Sequence, residues 1–437
     1  MSKAGKENIM ADLRTKIGRL TLKNPLILGG GPLSGTSGHI KKCVDAGFGG
    51  IVTKTTTYSY YLQRYPRPLY RLKDFARKGV DEPFYVPRDY MWMHREHNSF
   101  FPPDVFVQII KQIAGYVHDQ GALLIGSFAG RGIAEWQKVV DMYAAAGVDA
   151  MELNFCCPFI PQGLEKDEAN AFIGIYFTQH PEKGAEVIRK LKETVGIPLF
   201  PKLSPDGTNF VEMVKVFKEA GADGVSLFAN DRLLRIDIET GKPVNYGPCA
   251  GTSSHLKACT MKWVSEISQA LKLPILGGRG VNHYEDVIEY LMAGASGVEM
   301  CAAAILHGMK HIKVVVKDIE TFMERKGYKT IDEIQGRALN QIYSARQMME
   351  EVKALYAEVD LKKCIGCKRC PEVCAYDAIE ILPKKVKTIK EKCSGCSLCS
   401  QVCPVSAIEM KERDNDLDHF RALAWEHRDL MPELFKN

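Results

Sequence analysis

Cys364, Cys367, Cys370 and Cys374 stand at the spacing C-x-x-C-x-x-C-x-x-x-C. Cys393, Cys396, Cys399, Cys403 and Pro404 repeat it and add a trailing proline. Thiolates at this doubled spacing suit iron–sulfur chemistry, because a tight turn aims three of them at one cube and a short helix carries the fourth to its neighbour. On that rule Cys364, Cys367, Cys370 and Cys403 hold one [4Fe–4S] cluster, and Cys393, Cys396, Cys399 and Cys374 hold a second. Two zinc knuckles, or free core thiols, are the alternatives against which the repeated spacing argues. Ala375 replaces the proline expected after Cys374, which loosens a turn and removes no ligand. Such a module moves electrons one at a time.

A second group of reactive residues closes short apolar runs. Lys54 ends Val52-Thr53-Lys54, and Lys202 ends Phe200-Pro201-Lys202. A lysine at the buried end of a strand is costly unless it meets an anion or acceptor, here a flavin edge or an internal ion pair. Glu152-Leu153-Asn154-Phe155-Cys156-Cys157-Pro158 places two thiols after another such run. Gly277-Gly278-Arg279-Gly280 exposes backbone N–H groups, and Met300-Cys301-Ala302-Ala303 opens a helix, a pairing that suits a phosphate. Organic substrates exchange electrons in pairs and clusters singly, so a converter is required, and a flavin is the usual one. No G-x-G-x-x-G follows a strand and opens a helix, so NAD(P) is not expected to dock in a Rossmann unit on this chain.

These residues need elements to hold them. Apolar, β-branched runs at Leu26–Gly30, Gly50–Lys54, Leu123–Phe128, Ala150–Phe155, Leu199–Leu203, Gly224–Phe228, Pro274–Gly278 and Gly297–Cys301 read as strands one to eight. Helical periodicity fills 37–46, 103–118, 134–146, 182–195, 209–220, 256–271, 283–293 and 303–325. Ala-Gly junctions at Ala146-Gly147, Ala220-Gly221 and Ala293-Gly294 mark helix ends feeding the next strand. The expected fold is α/β, a (β/α)8 TIM barrel followed by a small bacterial-type ferredoxin domain, with a doubly wound open sheet as runner-up. The expected boundaries are an N-terminal extension at 1–19, the barrel at 20–330, a helical bridge at 331–356, the cluster domain at 357–411 and a helical tail at 412–437 carrying Trp425 and Phe435.

Residues 55–102 interrupt the rhythm with a long aromatic and arginine-rich stretch, read either as a lid over the barrel mouth or as an oligomer contact. Within it His94-Arg95-Glu96-His97 holds two histidines that could bind a metal, although surface histidines are the plainer expectation. The net charge of +5 is mild and spread along the chain, which argues against a nucleic-acid partner. Lys384-Lys385-Val386-Lys387-Thr388-Ile389-Lys390 reads as a solvated hairpin or a partner contact. No secretory signal or membrane span is apparent, and the six remaining cysteines (Cys43, Cys156, Cys157, Cys249, Cys259 and Cys301) are scattered, as suits a reducing cytoplasm.

Glu-Leu-Asn-x-x-Cys-Pro after strand four resembles the dihydropyrimidine dehydrogenase and dihydroorotate dehydrogenase flavoproteins. The likeness extends through Asn24-Pro25, Thr53-Lys54-Thr55, Pro66-Arg67, Pro201-Lys202-Leu203-Ser204-Pro205, Gly221-Ala222-Asp223-Gly224 and Gly277-Gly278. The order barrel, bridge, double cluster is most similar to the FMN and iron–sulfur subunits of bacterial NAD-dependent dihydropyrimidine dehydrogenases. The resemblance implies FMN in the barrel mouth, with Gly30, Lys54, Thr55, Asn154 and Lys202 around it, the two lysines and Asn154 on the isoalloxazine. Gly251, Gly278, Arg279, Cys301 and Ala302 would lie along the ribityl phosphate. It implies too that a cysteine exchanges a proton with one carbon of a substrate C=C bond while flavin N5 exchanges a hydride with the other. Cys157 matches that position, and Cys156 is the competing candidate. The implied partners are a small-molecule substrate and a redox protein, either a ferredoxin or a separate FAD/NAD(P) flavoprotein subunit, in a homo- or hetero-oligomer.

The departures bear on substrate. The family's pyrimidine enzymes read uracil with asparagines after strands three, four and six. Here Ser127-Phe128-Ala129-Gly130 offers none, Ala229-Asn230 keeps a displaced one, and Phe159-Ile160-Pro161 follows the Cys-Pro. A site without amide partners disfavours uracil and thymine and suits a more apolar or acidic cyclic or conjugated compound. A relay subunit without substrate chemistry, and a true dihydropyrimidine or dihydroorotate dehydrogenase, are the alternatives.

Overall fold

A computed structural model describes residues 11–64, 68–74, 90–157, 173–413, 424 and 428–435. Pro66-Arg67, Pro158, Phe159-Ile160-Pro161 and Trp425, and much of the aromatic insertion, lie outside them. The chain forms two compact units, Met1–Gln341 and Ile342–Asn437.

In the first unit eight parallel strands close into a barrel in chain order: Leu26–Leu28, Gly50–Val52, Leu123–Phe128, Ala150–Phe155, Leu199–Leu203, Val225–Leu227, Ile275–Gly278 and Gly297–Met300. Nearly every residue in them is buried, as expected of parallel strands covered on both faces. Helices alternate with the strands, and the Ala-Gly junctions end three of them, with Gly147, Gly221 and Gly294 all in the left-handed region (φ 102°, 101° and 104°). The aspartates that follow lock adjacent units together: Asp149 Oδ2 accepts from Leu124 N at 2.7 Å and Asp223 Oδ2 from Leu199 N at 2.9 Å. Around the strands Trp136, Phe128, Phe155 and Phe177 pack edge to face and tilted. Beneath, Ile17 and Leu22 from a hairpin of Thr15–Ile17 and Leu20–Leu22 join Ile27, Val52, Ile125, Phe200 and Leu276 in the barrel floor.

Two expectations need correction. The helical stretch at 303–325 is two helices, Ala302–His307 and Met309–Lys326, because Gly308 breaks the ladder at φ 76°. The bridge contains only short pieces, two single 3-10 turns and a helix at Ala345–Glu351, before a strand starts at Leu355. Most of the tail expected to be helical, 414–423 and 425–427, lies outside the described residues, and Pro432–Phe435 forms one 3-10 turn.

The described residues of the insertion form regular structure. Leu69–Asp74 and Tyr90–Arg95 pair antiparallel, and the second strand pairs with Cys249–Ser253, which in turn pairs with Asp231–Leu233. This four-stranded sheet draws on two separate connections, those after barrel strands two and six, and the register sets Thr252 opposite Trp92 and Ala250 opposite His94.

In the second unit Leu355–Val359 pairs with Ile408–Glu412, and Ile379–Ile381 pairs with Val386–Thr388. The basic segment therefore forms part of a hairpin, in which Lys385 Nζ also donates to the Cys364 carbonyl at 2.7 Å. Among the described residues no helix is long and apolar enough to cross a membrane.

Candidate active site

The C-terminal ends of the barrel strands open into a cleft of about 1350 Å³ of empty space, solvent-open part included. Lys54, Thr55, Asn154, Cys156, Cys157 and Lys202 line it on one side, and Gly30, Gly278, Arg279, Cys301 and Ala302 on another. Gly251 does not: in the antiparallel sheet a Cβ on it would run into the Leu233 side chain and the Trp92 carbonyl, and Ala250, Thr252 and Ser253 line the cleft instead. Tyr70, Trp92 and His94 from that sheet form the roof, their rings 5.6 to 6.2 Å apart.

Both strand-end lysines are ion-paired. Lys54 Nζ lies 3.2 Å from Glu96 Oε1. Burial pulls the Lys54 pKa down, and Glu96 works against that pull. Lys202 Nζ lies 3.2 Å from Glu152 Oε2 and also contacts Glu299 Oε2. Burial opposes its charge, but the two glutamates outweigh burial and keep the ammonium protonated. Glu96, Glu152 and Glu299 escaped sequence reasoning as site residues, although a lysine at a buried strand end was itself a signal that an acid lies near.

The two thiols differ sharply. Asn154 Oδ1 accepts from Cys157 N at 2.9 Å, from Cys156 N at 3.3 Å and from Cys156 Sγ at 3.2 Å, while Asn154 Nδ2 donates to Thr55 Oγ1 at 3.1 Å. Its amide therefore fixes the turn after strand four. Cys156 is buried, and burial drives its pKa well above the usual thiol value. Cys157 is half-buried at the cleft wall, with Sγ 3.9 Å from Asn98 Oδ1.

The histidines are not surface residues. His97 is buried, and His94 sits in the cleft roof. Burial, with Lys54 nearby, pushes His94 down to about 4, so its ring is neutral at pH 7. Asn230 Nδ2 donates to His94 Nε2 at 2.8 Å, which leaves the ring proton on Nδ1. Asparagines missed by sequence reasoning reach the cleft from the insertion and from a later turn. Asn282 is committed to Tyr90 and to the Gly280 carbonyl. Asn98 keeps a buried Nδ2 with no acceptor, as do Trp92 Nε1, His94 Nδ1 and Arg279 Nε.

In the second unit Cys364, Cys367, Cys370 and Cys403 line one small cavity, and Cys374, Cys393, Cys396 and Cys399 line another. Backbone N–H groups of Ala407, Ala378 and Ala357 donate to the sulfurs of Cys403, Cys374 and Cys393 at 3.2 to 3.4 Å, which favours thiolates. Four thiols around each cavity fit an iron–sulfur cube.

Residues 102–323, half of the 437-residue chain, match the family described as dihydroorotate dehydrogenase. The chain belongs to that family. Residues 357–410 match a 4Fe-4S dicluster domain. Similar proteins include the dihydroorotate dehydrogenase B (NAD(+)) catalytic subunits of Anoxybacillus flavithermus (34% identical over 50% of this chain and 67% of the relative) and Bacillus mycoides (28% identical over 77% of this chain and all of the relative). The chain is accordingly an oxidoreductase of the class acting on CH–CH bonds, and membership implies a flavin and iron–sulfur chemistry.

The cleft fits the flavin the family implies. Glycines crowd its floor: a Cβ on Gly31 would sit 2.5 Å from Cys301 Sγ, and one on Gly280 would sit 2.6 Å from the Ser253 carbonyl. Arg279, tied to Asp231, keeps its buried Nε without an acceptor beside Gly278 and Gly280, where an anionic phosphate would supply one.

Proposed function

We propose that this protein is an FMN-dependent oxidoreductase that reduces, or forms, an activated or ring C=C bond, with two [4Fe–4S] clusters relaying electrons to a redox partner. The observation that carries the reading is the convergence of Lys54, Lys202, Asn154 and Cys157 on one cleft at the strand ends. FMN bound there would exchange a hydride at N5 and accept electrons singly. Lys54 and Lys202, each ion-paired to glutamate, present N–H donors at the cleft wall, and Asn154 holds the turn that presents Cys157. Cys157 gives or takes the substrate proton, and its half-buried position supports this role over the enclosed Cys156. Arg279 and the glycines beside it would hold the phosphate.

The roof supports a planar substrate with acceptor oxygens. Tyr70, Trp92 and His94 offer flat apolar surface, while Trp92 Nε1–H, His94 Nδ1–H and the Asn98 amide want acceptors. An unsaturated ring acid meets both demands. Uracil also needs its own N–H groups accepted, and the cleft asparagines are mostly committed elsewhere. The names of the relatives favour a second reading, dihydroorotate oxidation.

The test is anaerobic photoreduction followed by addition of candidate acceptors. Unsaturated ring carboxylates are expected to reoxidise the flavin rapidly, and uracil slowly. Reoxidation by orotate alone would establish the second reading, and rapid turnover of uracil would overturn the substrate class. A flavin that answers no small acceptor would mark an electron relay.

A further inference from the structure

At the barrel end of the cleft two carboxyls share one ammonium. Glu152 comes from strand four, Lys202 from strand five, Ser226 from strand six and Glu299 from strand eight, and the register sets Ser226 beside Lys202. Glu152 is 2% exposed, Glu299 8% and Ser226 1%. Ser226 Oγ lies 3.1 Å from Glu152 Oε2 and 2.6 Å from Glu299 Oε1. Lys202 Nζ contacts both glutamates.

A serine hydroxyl has one hydrogen and can donate to one carboxylate only. Its second close carboxyl contact is attractive only if that carboxyl carries a proton and donates it to Oγ. Charge leads to the same conclusion. One ammonium and two carboxylates would leave a net negative charge in the barrel interior, where an uncompensated ion is costly. One ammonium, one carboxylate and one carboxylic acid are neutral. The neighbours do not alter that balance. Facing the group are the thiols of Cys156 and Cys301, both pushed up by burial, Cys301 to about 11, and further out the Lys54–Glu96 pair, which cancels itself. Burial and the adjacent Glu299 raise the Glu152 pKa, with Lys202 opposing, while Lys202 holds Glu299 low despite its burial.

We propose that Glu152, Ser226 and Glu299 hold one exchangeable proton at neutral pH, and that this proton adds an inflection of its own to the pH dependence of the bound flavin's reduction potential. The second half rests on the functional reading above, and the first stands without it. Loss of the proton on raising pH adds one negative charge to the cleft lining, which disfavours a reduced flavin and lowers its potential. Glu299→Gln and Glu152→Gln each leave one carboxylate against Lys202, neutral overall and with no acid to titrate.

Infrared spectroscopy of the protein as purified, in H2O and D2O, tests the first half. The wild type minus either variant is expected to show the C=O stretch of a protonated carboxyl, shifted by deuterium. A wild-type spectrum at pH 7 identical in that region to both variants would overturn the proposal. Redox titration of the flavin across pH tests the second half: the flavin's own proton uptake shapes both curves, and the wild type is expected to show one inflection more than E299Q. The same curve in both, with the infrared band present, would remove the link to the flavin and leave the proton store. Cluster absorbance and circular dichroism check folding, and E152Q serves should E299Q fail to fold.

Discussion

Cys156 and Cys157 are the same residue type in adjacent positions, and their surroundings give them opposite prospects. Replacing Cys157 by Ala removes a thiol at the cleft wall and leaves the hydrogen bond from its backbone N–H to Asn154 untouched. Flavin and iron contents should therefore stay at wild-type levels while substrate-driven reoxidation falls by about 10²–10⁴, the usual worth of a positioned proton donor. Cys156→Ala should change that rate by less than about tenfold, since its thiol is enclosed and bonded to Asn154. Single-turnover kinetics of the photoreduced protein measure both, and unchanged turnover in Cys157→Ala would move the proton elsewhere. At this scale the sequence announced the lysines and the thiols because strand ends are readable from apolar periodicity. Their acidic partners were not readable. Glu152 and Glu299 sit inside buried strands, where only the closure of the barrel shows that they face Lys202.

Elements were legible to the degree that they are local. All eight barrel strands follow from short apolar runs, and the helix ends follow from Ala-Gly junctions whose glycines adopt the left-handed conformation. The roof sheet was not, because its strands come from distant stretches and pair only once the barrel brings the connections together. That sheet also braces the turn proposed to hold the phosphate. Gly280 has φ 66°, and a Cβ there would lie 2.6 Å from the Ser253 carbonyl at the end of a roof strand. Gly280→Ala thus meets both an unfavourable backbone region, about 1–2 kcal/mol, and a backbone collision that the turn must yield to. The expected outcome is protein that folds but retains less FMN on gel filtration. Gly115, in the exposed middle of helix Pro103–Asp119 with nothing within 4 Å of its added Cβ, is the opposite case. Gly115→Ala should raise stability by about 0.5–1 kcal/mol without affecting flavin content, which thermal unfolding and flavin release together would check.

At the scale of the whole molecule the two units have separate cores. The barrel packs its own apolar residues, whereas the second unit's core is small and includes Cys364, Cys370, Cys393 and Cys399 themselves. Holding the clusters and folding the second unit are therefore coupled, because thiols supply both ligands and packing. The barrel's chemistry needs no iron once its flavin is reduced. Cys370→Ser separates the two functions, since it removes one ligand from the cavity lined by Cys364, Cys367, Cys370 and Cys403 and none from the other. Iron content should fall toward half of the roughly eight atoms that two cubes contain. Light-driven flavin reduction and reoxidation by the substrate should continue at the wild-type rate. Steady-state turnover fed by an external protein reductant should collapse, because electrons then have to pass through the damaged relay. Iron analysis, electron paramagnetic resonance and the two turnover assays on one preparation decide the matter. Wild-type turnover from the protein reductant, with iron halved, would place the route of the electrons outside the cluster that Cys370 serves.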